Sequence, residues 1–383
     1  MPAPTLLIAT TPLTALVGAA LARADGGGWH LVLIEDFGDA EAWARLLRGW
    51  RDTPFAAVEC LPGRASEARA LAALGRRGLA LRFLRERIKR EQRRAVFARL
   101  EAIDATLRPA RVAVGNDRRP ETQFALALAA RRGDPRPGVY LDDGLFSYVG
   151  DVHSRPLARA LFDTPLKRLA WGGWWQAVDL AGTSRWIARA HLALPAAALD
   201  RDPSRLRLAL PREAFAGRAQ ARLALAAWRA FAGGPVPRLD AIVALPHADL
   251  LRRDPAALAA IGRAITRLAQ DGGRVAVKHH PREREPDPLG FGARGARLLP
   301  AAIAFELLLP LLRPGAVVAG SASTALLAAR WLRPDLAVVD LGGGGDFGRR
   351  AGAFLATHGV RPASALDAVV DGLTHDRRYL RDS

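Results

Sequence analysis

At 383 residues the chain exceeds one ordinary domain and suits two; half its residues are hydrophobic and a quarter charged, which excludes a disordered chain. A lone cysteine, Cys60, excludes an intramolecular disulfide and points to reducing, cytoplasmic surroundings. The net charge of +18 suits nucleic acid or an anionic membrane, yet lysine occurs only at Lys89, Lys167 and Lys278, so the excess reads as arginine codon usage and is equally satisfied by an acidic glycan or a nucleotide sugar.

In chain order, Thr5 to Ala22 is apolar and ends in Ala20-Leu21-Ala22-Arg23-Ala24, like a secretory segment with its cleavage site. No cation precedes the run and Thr10-Thr11-Pro12 interrupts it, so we read a buried strand Thr5–Ala9, a loop to Thr14 and a helix Ala15–Arg23. Further apolar runs follow at His30–Ile34, Phe55–Glu59, Val112–Val114 and Gly138–Leu141, alternating with helical spacing over Ala40–Arg51, Glu67–Leu74 and Glu121–Arg131. The theme returns with strands at Ala241–Leu245, Arg274–Val277, Ala316–Ala319 and Leu336–Leu341. Strand-helix alternation implies parallel sheets covered on both faces, hence an α/β chain with two domains. Proline-rich stretches flanking a helical segment at Arg212–Phe231 put the join near 205–210, giving domains 1–205 and 206–383. No uncharged stretch is long enough to span a bilayer. A basic helix over Arg76–Leu100 has two readings: a solvated helix packed on its own domain, or a peripheral contact with the anionic inner face of the cytoplasmic membrane. The tryptophans Trp171, Trp174 and Trp175 have the same pair of readings, core or platform.

Three short motifs carry chemistry, each just past a predicted strand, where open α/β sheets bind ligands. Leu141-Asp142-Asp143-Gly144 offers two carboxylates on a glycine turn, one of which can act as a general base towards a hydroxyl. Val277-Lys278-His279-His280-Pro281 places an ammonium and two imidazoles at one strand end, the groups that neutralise a departing phosphate. Gly320-Ser321-Ala322-Ser323-Thr324 leads into a helix at Thr324–Leu332, where small hydroxyls and the helix terminus can hold a phosphate or simply cap the helix. Asn116-Asp117 follows the strand Val112–Val114 and is a further candidate for the cleft. Adjacent histidines rarely chelate one ion, and no His, Cys or Glu at suitable spacing accompanies them locally, which argues against a metal site. Gly342–Gly345 lacks the Lys-Ser/Thr ending of a P-loop and is read as a flexible turn; no hydrolase elbow is present.

Taken together, Asp142-Asp143-Gly144, His280-Pro281 and Ser323-Thr324 resemble the acidic, His-Pro and Ser-Ser/Thr motifs of the bacterial sialyltransferase and α-2,8-polysialyltransferase-like families, in the same order, and Pro300, Glu306 and Leu307 ahead of Val317–Gly320 add to the likeness. The resemblance implies a GT-B fold, two Rossmann-like domains facing across a cleft, with the acceptor side in the first and the CMP-sugar in the second. It implies inverting, metal-independent transfer of sialic acid or a related nonulosonic acid to a glycan or glycolipid hydroxyl, without a cofactor, in capsule or lipopolysaccharide assembly. By the same resemblance Asp142, or else Asp143, is the base and His280 assists departure of CMP. Lys278, His279, Pro281, Gly320, Ser321, Ser323 and Thr324 bind the donor, with Asn116, Asp117 and Gly144 lining the cleft. The choice between Ser321 and Ser323 stays open, as does a CMP-Kdo, UDP- or GDP-sugar donor. The non-enzymatic alternative is a basic nucleic-acid or membrane-binding protein, which gives no reason for Lys278, His279 and His280 at one strand end and predicts salt-sensitive DNA binding.

Overall fold

The computed structural model of the chain describes residues 3–73, 79–150, 157–200, 202–283 and 285–379. It divides into two compact units, Met1–Phe215 and Ala216–Ser383. The first contains the strands β1 (Thr5–Ala9), β2 (Trp29–Ile34), β3 (Phe55–Leu61), β4 (Arg111–Val114), β5 (Gly138–Leu141), β6 (Ile187–Leu192) and β7 (Leu206–Ala209). Its helices are α1 (Pro12–Ala24), α2 (Ala40–Arg48), α3 (Arg64–Ala73), α4 (Leu79–Leu107), α5 (Pro120–Ala130), the short α6 (Phe146–Val149) and α7 (Leu157–Trp171); α8 (Arg212–Ala216) ends at the join. In the second unit α9 (Arg218–Phe231), β8 (Ala241–Ala244), α10 (Ala248–Arg252), α11 (Pro255–Ala269), β9 (Val275–Lys278), β10 (Arg297–Leu299) and α12 (Phe305–Leu308) are followed by β11 (Val317–Gly320), α13 (Thr324–Leu332), β12 (Ala337–Asp340), α14 (Gly345–Thr357), β13 (Arg361–Pro362) and α15 (Leu366–Tyr379).

The sheets run β3-β2-β1-β4-β5-β6-β7 and β10-β9-β8-β11-β12-β13, and every pairing is parallel. Each sheet therefore starts in its middle, grows to one side, then returns to grow to the other, which is the doubly wound Rossmann order. The apolar runs follow from this: β1, β5, β8, β9 and β11 are buried at every position because both faces are covered. On one face of the first sheet Leu6, Ile8, Val32 and Val114 pack with Val96, Leu100 and Ile103 of α4 and Leu126 of α5. Towards the other, Leu7 lies so close to α1 that a side chain at Gly18 would collide with it. The second sheet buries Val243, Val277, Val317 and Val339 against Ile261 and Ile265 of α11 and Val369 and Val370 of α15.

Several expectations shift. The join lies after Phe215, past the expected 205, because β7 closes the first sheet as its edge against β6. Neither β6 nor β7 is an apolar run; after Ile187, β6 alternates buried Ala190 and Leu192 with the more exposed Arg189 and His191, the pattern of a strand that is only half covered. The first helix begins at Pro12, ahead of the expected Ala15, since Thr11 caps it by accepting from Thr14 N. Of the expected basic helix, Arg76–Gly78 lie outside the described residues; the remainder forms α4, whose Val96 and Leu100 are core. The tryptophans are packing elements: Trp174 meets Phe97 at 5.9 Å and Phe124 at 5.5 Å, Trp171 meets Phe97 at 6.2 Å, and Trp175 is buried. Among the described residues no helix is long and apolar enough to cross a membrane.

Candidate functional site

In both units the chemistry-bearing residues lie just beyond the carboxyl ends of strands, around the point where the strand order reverses: β1/β4 in the first sheet and β8/β11 in the second. In the first unit, Asn116 folds into a turn by accepting from Arg118 N at 3.0 Å. Asp117 does not line an opening. It is fully buried and its two oxygens accept from Gly182 N at 2.8 Å and Ser184 N at 2.7 Å, so it ties the segment before β6 to the end of β4. Burial pushes its carboxyl above the usual range, against the pull of these hydrogen bonds.

The acid pair after β5 splits into two roles. Asp142 is 4% exposed and accepts four hydrogen bonds: Gly144 N at 2.9 Å, Ser147 Oγ at 3.0 Å, Ala193 N at 2.8 Å and the Tyr148 hydroxyl. Gly144, at φ 80°, makes the turn that closes this ring of donors. Burial raises the Asp142 carboxyl above its ordinary range despite the donors. Asp142, the expected base, thus holds the turn and the segment after β6 through these four bonds. Asp143, next in the chain, is only partly buried and is the carboxylate that the turn presents.

At the end of β9 the structure again separates what the sequence joined. Lys278 is 3% exposed, and its Nζ donates to the carbonyls of His279 at 2.9 Å and Ala301 at 3.0 Å, near the buried Glu306. Burial brings its pKa down to about 7. His279 is 2% exposed, with neither ring nitrogen hydrogen-bonded and Nε2 3.5 Å from Asp287 Oδ1; burial lowers its pKa, favouring the neutral ring. Lys278 and His279, both expected to bind the donor, are buried, and the Lys278 contacts are internal. A strand that ends buried must satisfy the chain beyond it, and Lys278 does this with two carbonyls.

His280 and Pro281 are partly exposed. The His280 Nδ1 accepts from Arg282 N at 3.2 Å. A neutral imidazole with an occupied Nδ1 lone pair carries its proton on Nε2, so His280 is held as an Nε2–H donor. Burial first, then Arg282, His247 and Lys278, lower its pKa to about 4, which keeps it in that form near neutrality. Sequence reading missed its neighbour. His247 follows β8 and lies with its ring centroid 5.8 Å from that of His280. Glu283 fixes the pair's surroundings, accepting from Ala248 N at 2.6 Å and standing 3.4 Å from His247 Nδ1. The signal was present: β8 and β9 are adjacent, and each carries a histidine shortly after its last strand residue.

On the other side of β8, Gly320–Thr324 turns from β11 into α13 with Ala322 in the left-handed region at φ 38°. Contacts distinguish the two hydroxyls. Ser321 Oγ donates to Gly342 O at 2.5 Å, whereas Ser323 Oγ, at the amino cap of α13, is buried without a hydrogen-bond partner. Asp340 braces the turn by accepting from Ala322 N at 2.9 Å and Gly342 N at 3.1 Å. Thr324 opens the helix. Gly342–Gly345 is no loose turn: a side chain at Gly344 would collide with Asp254, the residue that caps α11 by accepting from Ala257 N at 3.0 Å. Along the carboxyl edge of this sheet the order is thus His280, His247, Ser323 with the α13 terminus, then the packed glycine turn. Among the described residues no cluster of three or more His, Cys, Asp or Glu is placed to hold a metal ion.

No protein-family model and no curated protein matches the chain. Solved structures do. A UDP-GlcNAc 2-epimerase from Methanocaldococcus jannaschii is 12% identical over 96% of this chain and 91% of its own, with a TM-score of 0.51. A spinosyn rhamnosyltransferase complexed with thymidine diphosphate is 14% identical over 97% and 91%, at a TM-score of 0.45. A glycosyl transferase family 9 protein from Veillonella parvula is 8% identical over 98% and 97%, at 0.42. The epimerase likeness spans nearly all of both chains and establishes the fold class, two Rossmann-like units of GT-B type.

Proposed function

We propose that the chain is a glycosyltransferase that moves sialic acid, or a related nonulosonic acid, from a CMP-linked donor to a glycan or glycolipid hydroxyl, with inversion and without a metal ion. The observation that carries the reading is the donor set at the strand ends on either side of β8 in the second unit: His280 held as an Nε2–H donor, and Ser323 Oγ unpartnered at the amino end of α13. A phosphate is held by such a helix terminus and hydroxyl. The nucleotide-sugar named in the epimerase of like fold agrees with that donor class.

In this reading the bond from the anomeric carbon to the CMP phosphate oxygen breaks with its electrons leaving on phosphate. The acceptor oxygen attacks from the opposite face as its proton passes to Asp143, and the sugar gains oxocarbenium character in between. His280 donates a hydrogen bond to the departing phosphate, which gains negative charge as it leaves; donors aimed where charge develops are worth more in the transition state than in the ground state. Asp142 holds the turn that presents Asp143. Peripheral contact with the anionic inner membrane belongs to the same reading, supported by Leu166 and Leu169, 65% and 87% exposed beside Lys167 and Arg168 on α7; failure to co-sediment with phosphatidylglycerol vesicles would remove that part alone.

The test is CMP release from CMP-sialic acid with a glycan acceptor panel and EDTA present, with CMP-Kdo and UDP- and GDP-sugars in parallel. Release from CMP-sialic acid that survives EDTA and fails in His280→Ala supports the reading. Release only from CMP-Kdo or from another nucleotide sugar transfers the same site to that donor, and release abolished by EDTA contradicts metal-free transfer.

A further inference from the structure

A cavity of about 350 Å³ opens in the first unit beyond the carboxyl end of β3, walled by α3, α4 and the start of α5. The acid turn after β5 is not part of it. Arg85, Lys89 and Arg93 of α4 line it, recurring every four residues and so sharing one helix face. The same face continues as Val96, Leu100 and Ile103, which are buried in the core against the sheet. The helix thus changes from apolar to cationic along one face where it borders the cavity. Voids left by imperfect packing are apolar; this wall is not.

Arg64 and Arg119 bring the lining cations to five, against two lining carboxylates, Glu67 and Glu121, with Asp36 and Glu86 also paired to these cations. Glu67 is shared between Arg85 at 3.5 Å and Lys89 at 3.9 Å, and Lys89 also meets Glu86 at 2.8 Å. Arg119 spans Asp36 at 2.9 Å and Glu121 at 3.3 Å. Arg93 is held by its face, stacked over Trp171 at 4.4 Å, which keeps its in-plane N–H edge for an oxyanion. Pro62, Leu71 and Pro120 add apolar wall, and the volume is that of a small-molecule site at the lower end of the usual range.

We propose that this cavity is a second binding site, for a carboxylate or phosphate group carried on a molecule of about monosaccharide size, and that it is independent of the strand-end site and of the transfer reading. Charge-assisted hydrogen bonds from Arg85, Lys89 and Arg93 hold the oxyanion while the apolar wall takes the ring.

The full chain is titrated calorimetrically with glucuronate, glucose 6-phosphate, glucose and inorganic phosphate, and Arg85→Glu, Lys89→Gln, Arg229→Gln and His280→Ala are compared. The expected result is saturable binding of glucuronate or glucose 6-phosphate, at least tenfold weaker in Arg85→Glu and Lys89→Gln and unchanged in Arg229→Gln and His280→Ala. Which of the two binds tighter identifies the oxyanion. Arg85 is a surface side chain, 56% exposed, so its reversal leaves the fold intact and keeps the test open if Lys89→Gln unfolds. The proposal is overturned if neither anionic sugar binds, if glucose or bare phosphate binds as tightly, if Arg229→Gln weakens binding as much, or if His280→Ala alone abolishes it.

Discussion

Replacing Asp142 by alanine separates the two roles of the acid pair. The change strips an acceptor from four donors in a site that is 4% exposed. Ser147 Oγ can turn to Tyr140 OH, 3.0 Å away. The N–H groups of Gly144 and Ala193 have no such alternative, and the Tyr148 hydroxyl keeps the bond that it accepts from Leu194 N at 3.1 Å but loses the acceptor of its own O–H. Three buried donors left unsatisfied cost about 1–3 kcal/mol each, so Asp142→Ala should lose at least about 3 kcal/mol out of a total stability of about 5–15 kcal/mol. Asp143→Asn should stay within about 1 kcal/mol of the parent while slowing transfer by about 10²–10⁴-fold, the range for a lost general base. Urea unfolding followed by tryptophan fluorescence is the assay, since seven of the nine tryptophans lie in the first unit. CMP release is measured on the same preparations. An Asp142→Ala protein with parental stability and no activity would refute the structural role, and an active Asp143→Asn protein would refute the base.

Three further outcomes are expected. His280→Ala should lower CMP release about 100-fold or more, and His280→Gln, whose amide N–H reaches the Nε2 position, should recover at least tenfold of it; equal loss in both means that His280 supplies a proton and not a hydrogen bond. Lys278 has a folded pKa of about 7, well below its ordinary value near 10.5, so between these values the unfolded state binds more protons and stability rises with pH by up to about 1.4 kcal/mol per unit. Comparison with Lys278→Met in urea at pH 7.5 and 8.5 should show this slope in the parent only, and parallel slopes would contradict the buried placement. Ser323→Ala should weaken CMP binding several-fold without lowering the thermal transition, while Ser321→Ala should cost about 1 kcal/mol through its lost bond to Gly342 O; the reverse pattern would exchange the two serines.

Some elements were legible because a residue's own chemistry decides them. The runs Thr5–Ala9, Gly138–Leu141 and Val275–Lys278 are apolar throughout, and only a strand covered on both faces places such a run without exposing it. Edge strands lack that signature: β7 has exposed ends and carries Arg207, so the join was read too early. The position of the candidate site was legible for a related reason, since polar residues just after buried strands have one place to be in a parallel sheet.

What those residues do there was not. Asp142 and Asp143 are the same amino acid one position apart, and Lys278, His279 and His280 read as one cationic group. The sequence by itself determined a chain of two doubly wound α/β units with polar groups at their strand ends, because hydrophobic periodicity is a local property of each segment. Only the tertiary structure decided that Asp142, Lys278 and His279 are buried while Asp143 and His280 are partly exposed, and that His247 stands beside His280 from the neighbouring strand. Burial and hydrogen-bond partners come from segments far apart in the chain, Ala193 for Asp142 and Ala301 for Lys278, and no local pattern encodes them.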